Sequence, residues 1–235
     1  MSRRKSASPS VLILVLLIAL FFAVQHKSRN MRHNAIAVPS VSHAPGQSRR
    51  ESALLANEAL GINCNSRYFA QWQQPGEHAC STQMRNGYPV PDPRCTPGGI
   101  NMTVTADVLR NPAWKTAGTR NCEESEAEKH ATYKWYGLQK PRVNSGQNQV
   151  CELDHLVPLE LGGADGLGNI WPQCGPDTVT LNDRYFKIKD HVENYLADEV
   201  KAGRMPLDAA QQGIASDWTQ YLADAEYYCA RGGRC

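Results

Sequence analysis

The chain has no Cys-x-x-Cys pair and no internal repeat, its first 37 residues hold no acidic residue, and its longest apolar run is the 14 residues Val11–Val24. Each shortage excludes something. Structural zinc modules place cysteine or histidine ligands close together, so eight cysteines without such a pair argue against a zinc ribbon or finger. Without a repeat, solenoid and propeller architectures are out. As a helix, the apolar run would span only about 21 Å at about 1.5 Å per residue, short of a bilayer core of about 30 Å. A basic surplus is also missing from most of the chain. The whole sequence is +2, but setting aside Arg3, Arg4, Lys5, Lys27, Arg29 and Arg32 leaves 19 basic residues against 23 acidic, a net charge near −4. That is not the footprint of a tight, non-specific DNA binder.

What is present suggests an exported protein. Basic residues followed by Val11–Val24 suit a signal peptide or an uncleaved N-terminal membrane anchor within residues 1–24. No small residue stands at position 21 to favour cleavage, so both readings stay open. Residues 25–52 mix Ser, Pro, Gly, His and Arg without an apolar period and are expected to form a flexible linker. Residues 53–94 form a Cys- and Pro-containing extension, with a short helix over Glu51–Leu60 and a turning stretch over Asn86–Pro93. The eight cysteines, Cys64, Cys80, Cys95, Cys122, Cys151, Cys174, Cys229 and Cys235, all follow the apolar run, which predicts up to four disulfides formed in an oxidising, extracytoplasmic compartment.

The chemistry concentrates in Cys151–Gln173, CELDHLVPLELGGADGLGNIWPQ. Phosphodiester cleavage near neutral pH needs a base for water, a cation for the developing charge and donors for the substrate. Asp154 and His155 supply a cation ligand and a base side by side. Neighbours on a strand face opposite ways, but both can reach one edge where the strand bends, and Pro158 with Gly162-Gly163 provides the bend. Asn169 can bond across the loop to backbone and fix the histidine, while Ile170-Trp171 reads as a short strand stopped by Pro172.

The stretch resembles the HNH endonuclease motif, a ββα-metal finger, and is most similar to a bacterial subgroup with the wording E-x-D-H-L-x-P-L-E-L-G-G … N-x-W-P-Q … K-D-x-x-E. Here these positions are Glu152, Asp154, His155, Leu156, Pro158–Gly163, Asn169, Trp171–Gln173, Lys189, Asp190 and Glu193. The likeness reaches upstream through Cys95-Thr96-Pro97-Gly98 and Tyr133–Gly137, and downstream to about Tyr221. It implies His155 as general base, Asp154 as metal ligand, Asn169 as the residue orienting His155, and Lys189 steadying the phosphate or transition state. The third position departs from the family pattern, and Asp190 and His191 are the expected further ligands, with Glu193 behind them. The implied cofactor is a divalent cation, Mg²⁺ first, with Mn²⁺ or Zn²⁺ as alternatives. The implied partner is nucleic acid, DNA before RNA. No protein partner is inferable, and a membrane enters only through an uncleaved N-terminus.

The remaining pattern is helical. Glu123–Trp135 is predicted as a helix in which Tyr133, Trp135 and Tyr136 pack rather than stack on bases. Asn182–Val200 follows as a long helix with Tyr185, Ile188, Val192 and Leu196 on its apolar stripe. Arg184, Lys187 and His191 fall on another face, where Arg184 and Lys187 are candidate phosphate contacts. Pro206 opens a last helix running to about Tyr228, with Leu207, Ala210, Ile214 and Trp218 inward. The expected fold is α+β, a disulfide-stapled ββα-metal core with additional helices over residues 95–235, and Cys151 and Cys174 are placed to close its hairpin. Two rival functions remain: an inactive HNH-fold binding or structural envelope protein, and a metal-dependent hydrolase of some other substrate.

Overall fold

The computed structural model describes residues 45–64, 66–68 and 72–235, and Pro45–Cys235 form one compact unit. The predicted signal peptide or anchor, and the linker up to residue 44, lie outside the described residues. The end of that linker is corrected, because helix α1 occupies Pro45–Ala59 and buries Ala53 and Asn57. Among the described residues no helix is long and apolar enough to cross a membrane.

The fold is α+β, built among the described residues on three two-stranded antiparallel sheets. Strand β1 (Ser66–Tyr68) pairs with β4 (Gly99–Asn101), and β2 (Gln83–Arg85) with β3 (Tyr88–Val90) through the two-residue turn Asn86-Gly87. Both turn residues have positive φ, 50° and 83°, as a hairpin turn that matches strand twist requires. Helix α2 (Ala106–Arg110) follows, capped by the Thr105 side chain. The helix expected over Glu123–Trp135 is two shorter ones, α3 (Glu126–Lys129) and α4 (Ala131–Trp135). The capping box between Ser125 and Glu128 starts α3 two residues after Glu123-Glu124.

Strands β5 (Cys151–His155) and β6 (Ile170–Cys174) form the central hairpin, with Cys151 opposite Cys174 and His155 opposite Ile170. Pro172 therefore does not stop the strand. Leu156 N donates to Asn169 O and Gly175 N to Val150 O, each at 2.8 Å. Hydrogen-bonded pairs thus alternate so that Leu153 and Pro172 form a non-hydrogen-bonded pair, where proline loses no ladder bond. The same alternation puts Cys151 and Cys174 in a close pair, Cα–Cα 4.0 Å, and they are disulfide-bonded.

Helix α5 (Tyr185–Lys201) packs across the hairpin, burying Phe186, Lys189, Val192, Leu196, Ala197 and Val200. The expected stripe is thus rotated, and Tyr185 and Ile188 lie at its half-buried margin. The last helix is broken at Trp218–Tyr221 into α6 (Leu207–Asp217) and α7 (Leu222–Ala230), because Trp218 turns inward and donates its indole N–H to Pro89 O at 3.0 Å. Ile62, Cys80 and Val90 share one hydrophobic cluster with Trp171, Val192 and Trp218, so residues on both sides of position 95 build the same core. Tyr133, Trp135 and Tyr136 are buried, as packing residues.

Four disulfides, Cys64–Cys122, Cys80–Cys95, Cys151–Cys174 and Cys229–Cys235, use all eight cysteines. They indicate an oxidising, extracytoplasmic environment. Replacing Cys151 and Cys174 together by Ala is expected to lower unfolding free energy by about 2–4 kcal/mol in a urea titration. A loss below about 0.5 kcal/mol would mean that strand pairing alone holds the hairpin.

Candidate functional site

The register of β5 and β6 decides which side chains meet. Opposed residues share a face, so Glu152, Asp154, Trp171 and Gln173 stand on one side and Leu153, His155, Pro172 and Ile170 on the other. Asp154 and His155 thus start out facing opposite ways. They converge because the strand ends at His155 and the chain turns back through Leu159–Leu161 into Gly162, whose φ is 72°. The loop is held tightly: a Cβ on Gly163 would lie 1.8 Å from the Val157 carbonyl oxygen. Strand β4 braces it from outside, with Asn101 N donating to Gly162 O and Ala164 N to Gly99 O. Both Asp154 and His155 then line one cavity of about 280 Å³, together with Arg120, Glu152, Asp190 and Glu193.

Asn169 occupies the loop interior, fully buried. Its side-chain oxygen accepts from Val157 N at 2.9 Å, and its amide donates to Val157 O at 2.9 Å and Ala164 O at 2.7 Å. It therefore bonds across the loop as expected, but it does not reach the histidine ring. His155 Nε2 is instead 2.8 Å from Asp165 Oδ1. Asp165 is completely buried, and it also accepts from Lys129 Nζ at 2.7 Å and from Cys122 N at 3.1 Å. Burial opposes its ionisation, but the hydrogen bonds from His155 and Lys129 outweigh that and hold Asp165 below the usual carboxylate range. Burial depresses His155, with Asp165 only partly opposing, so the imidazole is neutral at neutral pH. With Nε2–H given to an ionised carboxylate, the lone pair is on Nδ1.

On the other face, Lys189 is fully buried beneath the strand. Its ammonium donates to His155 O at 2.8 Å, pairs with Glu193, and lies 2.9 Å from Asp154 Oδ2, outside hydrogen-bonding geometry for that last contact. Burial disfavours its charge, but Asp154 and Glu193 outweigh burial and keep it protonated. Lys189 thus anchors the strand end and the aspartate rather than facing the cavity.

The other sequence candidates are dispersed. Asp190 lines the cavity and is bonded by Lys187 at 2.7 Å. Arg184 is buried, with Nε and Nη1 lacking partners among the described residues, so it does not present a surface cation. His191 stands beside Cys229 and Cys235, its ring nitrogen within 4.8 Å of their sulfurs. Those sulfurs form a disulfide, so they are not thiolate ligands. That trio is the only set of three His, Cys, Asp or Glu donors so closely gathered among the described residues. His191 is therefore separated from Asp154 and Asp190.

The cavity wall offers oxygen donors, Glu152, Asp154, Asp190 and Glu193, the type taken by hard cations rather than by zinc. They do not form a preassembled cage. Mg²⁺ keeps several waters and takes one or two carboxylates alongside substrate phosphate, and the wall fits that requirement. The carboxylates also lack sufficient positive charge. Burial first, then Asp154 and Asp190, push Glu152 up to about 7. Asp190 is raised chiefly by burial against the pull of Lys187, and Glu193 is raised well above its ordinary range chiefly by burial against Lys189.

Asp165 and Lys129 were not singled out in the sequence. The only signal was an aspartate directly after Gly162-Gly163-Ala164, and nothing local linked it to Lys129, which lies 36 residues away. No family model, curated protein or solved structure matches the chain.

A carboxyl raised to about 7 is neutral in the fold below that pH. In metal-free protein its contribution to stability is complete below the ordinary value of 4.5 and is lost as pH rises through about 7. Cation binding requires the ionised form. Mg²⁺ is therefore expected to raise Tm more at about pH 8 than at about pH 6 in a thermal melt. Equal shifts at both pH values, or none, would show that these carboxylates do not bind the ion.

Proposed function

We propose that the chain is a metal-dependent endonuclease of the HNH type, hydrolysing phosphodiester bonds of nucleic acid, DNA before RNA. One observation carries the reading. A neutral, buried histidine, anchored through Nε2 to Asp165, opens on the same cavity as Asp154, Glu152 and Asp190. The antiparallel hairpin followed by α5 has the strand–strand–helix order of a ββα-metal finger, and the resemblance of Glu152–Gly163 and Asn169–Gln173 supports the same assignment.

In the reaction, His155 Nδ1 takes a proton from water as the water oxygen bonds to phosphorus. The P–O bond to the leaving oxygen breaks, and that oxygen takes up a proton, giving a phosphate monoester and a hydroxyl. Asp165 fixes the tautomer and stabilises the imidazolium that forms, the role a buried carboxylate has behind a histidine base. Lys129 keeps Asp165 ionised, and Lys189 positions Asp154 and the strand end. A divalent cation held by Asp154, with Asp190 or Glu152, would supply positive charge to the phosphate and the leaving oxygen.

A second reading follows from Lys189. A buried ammonium already neutralises Asp154, as it would in an inactive fold kept for binding or structure. Cleavage assays with supercoiled DNA and RNA, in Mg²⁺, Mn²⁺ or chelator, separate the two. His155→Gln keeps a donor toward Asp165 but supplies no base, and is expected to lower kcat by about 10²–10⁴-fold with Tm little changed. Asp165→Asn is expected to lower kcat and to move the acidic limb of the pH profile to lower pH, because the carboxylate that favours imidazolium is gone. No metal-dependent cleavage by folded wild type would favour the non-catalytic reading, and an unaltered pH profile in Asp165→Asn would reduce Asp165 to a packing residue.

A further inference from the structure

We propose that a second cavity beside His155 binds a backbone phosphate of the nucleic-acid substrate next to the one being cleaved, through Arg120 and Lys140, with His130 positioning Lys140. This rests on the nuclease reading and specifies how that site takes a polymer. The cavity, about 210 Å³, shares Arg120, Glu152 and His155 with the carboxylate-lined cavity, so the two are lobes of one groove that meet at the histidine.

The lobes differ in charge. Arg120 apart, the ionisable groups of the first lobe beside His155 are five carboxylates, Glu152, Asp154, Glu160, Asp190 and Glu193. The second contains Arg120, Lys129, His130 and Lys140, with Glu126 and the shared Glu152 as its carboxylates. Lys129 is engaged by Asp165. Arg120 and Lys140 are exposed, and neither forms an ion pair with a carboxylate among the described residues. Lys140 Nζ lies 2.7 Å from His130 Nε2. An ammonium donates there, so the ring hydrogen is on Nδ1, which is buried without a partner among the described residues. A guanidinium and an ammonium thus line one recess, the ammonium held in place by the His130 ring.

A nucleic-acid strand carries a negative charge on every backbone phosphate. With one diester at His155, the adjacent phosphate is accepted by the cationic lobe, whereas the carboxylate lobe offers it no cation besides the shared Arg120. Guanidinium and ammonium are the groups that hold phosphate by charge-assisted hydrogen bonds. The groove therefore sets which lobe takes the phosphate next to the scissile one. It also moves the phosphate contact from Arg184 and Lys187, which are respectively buried and paired with Asp190, to a lobe contributed by the segment before α3 and by α4 with its following loop.

The test is equilibrium binding of a fluorescein-labelled single-stranded DNA oligonucleotide to the oxidised full chain in chelator, over a series of salt concentrations. Lys140→Ala and Arg120→Ala are each expected to raise Kd about two- to fivefold at low salt. Each should reduce the slope of log K against log salt by about 0.7. Lys140→Glu should weaken binding further, while Arg204→Ala, remote from both lobes, should match wild type. Kd and salt slope unchanged in Lys140→Ala and Arg120→Ala would overturn the proposal, as would absence of binding by wild type. Wild type that binds with these dependences but never cleaves in Mg²⁺ would overturn the nuclease reading and leave the phosphate subsite standing.

Discussion

Two buried lysines flank the strand end that carries Asp154 and His155, and the site depends on both. A buried charge without a partner is too costly to keep, and breaking such a pair costs about 3–5 kcal/mol. Lys189 sits under one face between Asp154 and Glu193 and bonds the carbonyl of His155. Lys129 sits under the other and holds Asp165 against the imidazole. Adjacent residues of one strand are thus each supported by a cation from a different helix. The strand cannot slip by one residue without exchanging the two faces and stranding both lysines.

The disulfides tie this arrangement to the rest of the chain. Cys151–Cys174 closes the open end of the hairpin, so the register is fixed covalently at one end and by the lysine pairs at the other. Cys122 contributes its backbone N–H to Asp165 while its sulfur is bonded to Cys64, so the segment before α3 is held to the region just after α1. Residues far upstream in sequence therefore help set the tautomer of His155. This explains why positions on both sides of residue 95 share one core: the loop between β5 and β6 is short, and its buried polar groups need partners from outside it.

The local parts of this design were legible in the sequence. The bend at Gly162-Gly163 and the long helix after it follow from turn residues and periodicity close to one another in the chain, and the hairpin with its closing cysteines is what the HNH resemblance implies. Asn169 was recognisable as a loop brace, but not which groups it bonds, because that depends on the curvature of a loop whose tightness is set by β4. Asp165 and Lys129 were illegible for a different reason: a salt bridge between residues in separate elements leaves no periodic trace, and Lys129 looks like an exposed helix lysine. Arg184 misled in the opposite direction. Its charge suggested a surface, but it stands at the first position before α5, where the chain folds back on Gly175 and buries it.

The acidic balance of the folded part becomes intelligible when charge is considered by lobe rather than by chain. A wall of oxygen donors concentrates carboxylates, and here burial first, reinforced by Asp154 and Asp190, raises Glu152 to about 7. On the proposed reading, such a wall repels a phosphate polymer unless a cation neutralises it. A cationic recess adjoining the same histidine resolves the conflict without making the whole surface basic, because Coulomb attraction over one or two phosphates is short-ranged in physiological salt. Affinity then comes from a few local contacts and from the cation, and not from a basic face. On the proposed reading, a net-negative domain can in this way engage nucleic acid at one point, turn it over, and not remain coated by it.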